Sequence, residues 1–108
     1  MKNISFILIL LFAMIAVHAQ TWERVVPLGI LGDSTNPPSM ALDSAGTPYL
    51  AFEDNTNSRK VTVKRLSDNN WETVGNAGFS PEDVVTVQIV IHPDGTPYVI
   101  FPDSKNDY

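Results

Sequence analysis

The sequence predicts an all-β fold built from antiparallel four-stranded units, and three observations predict it. The tetrapeptide Gly46-Thr47-Pro48-Tyr49 returns 49 residues later as Gly95-Thr96-Pro97-Tyr98. At the same offset Trp22-Glu23 returns as Trp71-Glu72, Gly29 as Gly78, Phe52 as Phe101 and Asp54 as Asp103, with no gap needed. A period of roughly 20–50 residues marks a repeat architecture. Second, short runs rich in Val, Ile, Tyr and Phe alternate with clusters of Gly, Pro, Asp and Asn, the punctuation of strands and turns. Third, helical periodicity and capping signals are confined to the amino terminus.

That terminus has its own logic. Lys2 supplies a positive start, Ile4 to Val17 is an almost wholly apolar run of 14 residues, and Val17-His18-Ala19 precedes a plausible cut before Gln20. A spanning helix needs about 20 apolar residues, so residues 1–19 read as a secretory signal peptide. Residues 20–108 are then expected outside the cytoplasm, secreted or periplasmic, with no membrane attachment after cleavage.

The chain has no cysteine, which removes disulfides, thiol catalysis and cysteine-held metals. Past residue 19 six Lys and Arg face twelve Asp and Glu, a net charge of −6. Such a surface repels phosphate backbones, so nucleic acid is not an expected partner.

Taken in order, residues 22–26 begin with Trp22, hold two valines and stop at Pro27, reading as a short strand. Residues 28–38 carry two prolines and two glycines among Asp33, Ser34 and Asn36, and neither helix nor central strand accepts that density. Residues 39–42 form a strand, Asp43-Ser44-Ala45-Gly46 a turn, and 47–53 its hairpin partner. In the copy, His92-Pro93-Asp94-Gly95 has the residue order of a type I turn closed by a glycine with positive φ. Pro48 and Pro97 stand first in their strands, where a missing N–H is tolerated. Residues 60–66 alternate with period two around Val61 and Val63, so one face is packed and one is wet. Ser67-Asp68-Asn69-Asn70 is a turn, 71–74 a strand and 75–83 a loop; the apolar run 84–91 reads as a strand buried on both faces, with 97–101 as its partner.

Four short strands per period is the content of a β-propeller blade. Repeat copies then span 22–70 and 71–108, and the region 20–108 is a partial propeller: one complete blade, the last strand of a preceding one and half of the next. Tyr108 aligns with Arg59, one residue before the expected copy of Lys60-Val61-Thr62-Val63. The expectation is a truncated or partial product of a longer gene, since propellers close with about 4–8 blades. The rival is a short chain that assembles in several copies.

Asp43, Gly46 to Tyr49, Phe52, Asp54, Lys60 to Arg65 and Trp71 to Gly75 together resemble the tandem blade repeats of secreted bacterial β-propellers. The resemblance implies the fold and says little about activity, because such repeats occur in proteins of many functions. His92 in place of Asp43 and Pro102 in place of Glu53 mark the second copy as divergent. WD repeats run about 40–45 residues with a signature this chain lacks; kelch blades match in period, about 50, but not in their diglycine. Both copies miss the spacing of a sialidase-type Asp box.

Candidate chemistry is sparse. Asp33, Asp43, Asp54, Asp94 and Asp103 lie at turns or strand ends, where Asp is favoured because its side chain bonds the local backbone. Glu23/Glu72 and Asp54/Asp103 are pairs by repetition, which serves the blade more naturally than one active site. His92 has no nucleophile beside it, and Ser34, Ser39, Ser80 and Ser104 lack an activating context. No catalytic, metal or cofactor residue is assigned. The residues singled out are structural repeat positions: Trp22, Gly46, Thr47, Pro48, Tyr49, Phe52, Trp71, Gly95, Thr96, Pro97, Tyr98 and Phe101. Aromatics at fixed positions are expected to pack neighbouring blades together, sugar stacking being the alternative. The reading is a non-catalytic extracellular binding or scaffold module with a protein or carbohydrate ligand and further blades as neighbours. The alternative is part of a carbohydrate-active propeller enzyme whose site lies in other blades.

Overall fold

A computed structural model describes residues 20–24, 29–32, 34 and 36–102. Residues 1–19, where a signal peptide is expected, and the copy Asp103 lie outside the described residues, as do Asp33 and Ser104. Among the described residues six strands make two sheets: β1 (Ser39–Leu42), β2 (Pro48–Asp54), β3 (Lys60–Ser67) and β4 (Asn70–Thr73) form an antiparallel meander in sequence order, and β5 (Gln88–Ile91) pairs with β6 (Pro97–Ile100). The only helical element among the described residues is a 3-10 turn at Asn55–Asn57.

Local chemistry accounts for the hairpins. Between β1 and β2 the Gly46 N–H bonds Asp43 C=O at 3.0 Å and Asp43 Oδ1 accepts the N–H groups of Ala45 and Thr47 at 2.9 and 2.8 Å. Between β5 and β6 the same turn is closed by Gly95 N–H on His92 C=O at 2.8 Å. There two residues divide the work of Asp43: His92 Nδ1 accepts the Asp94 N–H at 3.2 Å and Asp94 Oδ1 accepts the Thr96 N–H at 2.9 Å. The histidine that looked like divergence is a substitute acceptor. Gly46 and Gly95 both sit at left-handed φ, +81° and +91°, which glycine alone adopts without strain. The β3–β4 turn places Asp68 and Asn69 both at positive φ, the requirement of a two-residue hairpin of type I′.

Period-two alternation then sorts the faces. Ala51 pairs with Val63 and Glu53 with Val61, so Tyr49, Ala51, Val61 and Val63 share one face of the meander; all four are buried. Against it pack Val84, Val87 and Ile89, with Ile91, Val99 and Phe101 partly covered. The two sheets therefore meet face to face, β1 lying beside β5, where Ser39 Oγ accepts the Ile89 N–H at 3.1 Å. Each buried valine or isoleucine contributes about 1.5–3 kcal/mol by leaving water.

Three expectations need correction. Residues 22–24 form no strand, and 25–26 lie outside the described residues; a β-strand exists only where another pairs with it, and local composition cannot supply the partner. The strand expected over 84–91 is β5 alone, because β6 offers only four residues for its ladder and Val84 instead donates its N–H to Arg59 C=O at 2.9 Å. Nor is that segment buried on both faces: Val87 and Ile89 are buried while Gln88 and Val90 are exposed.

Beyond β4 the chain continues along the edge of β3. Val74 and Phe79 donate to the carbonyls of Val63 and Val61, both at 2.9 Å, and the Val61 N–H is accepted at 3.0 Å by the buried Ser80 Oγ. Ser80→Ala is expected to cost about 2 kcal/mol, since it leaves a buried N–H without an acceptor. Urea denaturation checks this: the midpoint falls and the m-value holds.

Candidate functional site

The chemistry-bearing residues gather at two places on the meander. The first is at the β2–β3 connection. Asp54, at the end of β2, is buried and caps the 3-10 turn; its Oδ1 accepts from the Thr56 N–H at 3.0 Å and the Thr56 hydroxyl at 2.6 Å, and its Oδ2 accepts from Asn57 Nδ2 at 2.7 Å and the Thr62 hydroxyl at 2.6 Å. Thr62 Oγ1 in turn accepts the Gly78 N–H at 2.8 Å. Burial opposes ionisation of Asp54, but these donors from Thr56, Thr62 and Asn57 outweigh it and hold its carboxyl below the ordinary aspartate value.

One residue earlier Glu53 points to the opposite, valine-bearing face. It accepts hydrogen bonds from Arg59 and Asn36. Burial works against its charge too, and the Arg59 and Asn36 hydrogen bonds with the Arg59 charge overcome that, lowering its pKa. Arg59 reaches Glu53 because Ser58 and Arg59 both take left-handed backbone, φ +59° and +60°, folding the chain back; its other arm lies 3.7 Å from Asp83. Every carboxylate oxygen of Asp54 and Glu53 is thereby bonded within the chain.

The second place is an open recess of about 330 Å³ at the other end of the meander, lined by Asp43, Thr47, Tyr49, Arg65 and the β3–β4 turn. Arg65 pairs with Glu72 at 2.9 Å, and that bond, followed by one with Tyr49, raises its pKa. Asp43 holds the hairpin turn. The lining is polar, with the Asp43 and Asp68 carboxylates beside the Arg65 guanidinium, so it accommodates a small polar group.

Of the repeat positions, Tyr49 and Phe52 are buried, Pro48, Trp71, Pro97 and Phe101 partly so, and Thr47 and Gly46 belong to the first turn as Thr96 and Gly95 do to the second. Packing thus describes Tyr49 but not Trp22 or Tyr98, which are exposed. The ring of Tyr98 meets that of His92 edge-on, centroids 6.3 Å apart. The sequence assigns no role to Glu53 or Arg59, carries Thr62 only within the repeat pattern, and offers Ser80 only as a serine without an activating context. Alternation alone places Glu53 on the valine face of β2, a signal that was there to use; the partners Asn36 and Ser80 are 17 and 19 residues from the groups they bind and leave no local mark.

Among the described residues no three His, Asp or Glu side chains converge as a metal site, and no helix is long and apolar enough to cross a membrane. No protein-family model, curated protein or solved structure matches this chain.

Proposed function

We propose that the chain forms blades of a β-propeller that acts outside the cytoplasm as a non-catalytic binding or scaffold module. One observation carries the reading: the meander and the β5–β6 hairpin, which bear the two Gly-Thr-Pro-Tyr motifs 49 residues apart, stack face to face around a shared apolar core. Successive sheets stacked in that way are how a propeller is assembled. The non-catalytic part rests on how the carboxylates are used. Asp43 and Asp94 hold turns, Asp54 caps and ties loops, and Glu53 and Glu72 are ion-paired. These are structural duties. Binding would fall to loops at the strand ends, where the polar recess beside Arg65 takes a small polar or sugar-like group.

Electron microscopy of the protein isolated from its source, paired with a glycoside-hydrolysis panel, tests the proposal. Ring-shaped particles with a central channel and no turnover are expected. Particles without a ring, or hydrolysis abolished by replacing carboxylates of this chain, would overturn it.

A further inference from the structure

We infer that the exposed face of the β5–β6 hairpin is a docking surface for the β1-bearing face of a second copy of this chain, giving head-to-tail association. The inference rests on the repeat behind the proposed function, but concerns this chain's own two surfaces and not its ligand.

The outward face of β5–β6 presents Val90, Tyr98 and Ile100, which are 54, 53 and 63 % exposed. Three neighbouring large apolar residues turned to water on a hairpin of two four-residue strands are an interaction surface in want of a partner. Counting back 49 residues, they stand where Ala41, Tyr49 and Ala51 stand in the meander. Those three face the core, Tyr49 and Ala51 buried outright, because β5 and β6 lie on them. What lies there, Ile89 and Ile91, occupies the positions of Met40 and Leu42 in the first copy. Met40 and Leu42 are themselves 62 and 58 % exposed.

The chain thus contains one made interface and the two unmade halves of another. At one end is a face equivalent to the one already covered; at the other Met40 and Leu42, equivalent to the Ile89 and Ile91 that cover it, are free, while Leu50 and Phe52, the counterparts of Val99 and Phe101, are already buried within the chain. Both halves are apolar, so their contact removes hydrophobic surface from water. The hydrogen bond that fastens the existing interface, from the Ile89 N–H to Ser39 Oγ, has its counterpart too: Ser39 corresponds to Gln88, and Ile89 to Met40. Gln88 is exposed on the free face, where its side-chain oxygen can accept the Met40 N–H of the second copy. Because the two patches differ, the contact is heterologous, and repetition closes a ring or grows a filament according to the rotation per copy.

Sedimentation velocity on the purified chain, with two variants, tests this. Met40→Asp with Leu42→Asp disables one half; Val90→Asp with Ile100→Asp disables the other. The wild-type chain should associate with rising concentration. Each variant alone should associate roughly 100-fold more weakly, as loss of a central apolar anchor does, and an equimolar mixture should form a 1:1 dimer through its two intact halves. A second measurement does not depend on those variants folding. Since the chain has no cysteine, Met40→Cys and Gln88→Cys chains should be joined by a short bismaleimide when mixed, and neither should crosslink to itself. A monomeric wild-type chain, a mixture that stays monomeric, or self-crosslinking of either cysteine variant would overturn the inference while leaving the ring proposal to the microscopy.

Discussion

Asp54→Ala is expected to remove about 4 kcal/mol of folding stability, the largest effect of any substitution considered. The carboxylate takes four hydrogen bonds, and the donors it would abandon include the buried Thr62 hydroxyl. A buried donor left unsatisfied costs about 1–3 kcal/mol, and bonds to a charged acceptor lie at the upper end. The loss also reaches further than the 3-10 turn, since Thr62 relays to the Gly78 N–H and so fixes the loop after β4. Its pH dependence is a sharper test. The folded-state pKa of Asp54 lies below its unfolded value, so the unfolded chain binds the extra proton and stability rises with pH across that interval. The contribution is complete above the ordinary carboxylate value of about 4 and drains as pH falls from there through the folded pKa. The gap between wild type and Asp54→Ala, measured by urea denaturation, should therefore be constant near neutrality and narrow in acid. Glu53, whose pKa is lowered in the same sense, leaves the variant with a residual acid sensitivity. A gap that does not change with pH would refute the role given to the ionised carboxylate.

Gly78→Ala follows with an expected loss of about 3 kcal/mol. Gly78 has φ +62°, and a left-handed backbone costs a non-glycine residue about 1–2 kcal/mol. Space adds to this. A Cβ there would lie 2.7 Å from Asn57 Cβ and 3.2 Å from the Asn57 carbonyl oxygen. Neither atom can swing away like the tip of a long side chain, so the loop or the 3-10 turn must shift, at a cost typical of overpacking, about 1–3 kcal/mol. Gly29, its counterpart 49 residues earlier, also has positive φ, at +85°, but nothing within 4 Å. Gly29→Ala should thus show the conformational cost alone. Thermal melts of the two variants separate strain from contact, and equal losses would mean that the approach to Asn57 carries no energy.

The contrast between those glycines shows where sequence reading reaches. Positive φ at Gly46 and Gly95, the hairpin at Asp68-Asn69, and the alternation of β3 were legible because turn chemistry and strand period act between residues close in the chain. Among the described residues five of the six strands, all but β5, stand within a residue of their expected bounds for that reason. The segment 84–87 failed the same reading. Its valines have strand propensity and two are buried, yet strand identity needs a ladder partner, and β6 is too short to offer one. The carboxylate network was equally hidden: Asp54 resembles any turn aspartate until Thr62 is brought beside it from the next strand.

By itself, then, the sequence determined an all-β chain of short antiparallel hairpins, through local rules of period and turn. Tertiary structure alone decided which faces are spent and which remain free. Tyr49 is buried and Tyr98 exposed although both end the same tetrapeptide, because burial depends on what lies across the sheet, and a neighbouring sheet lies on the first and not on the second.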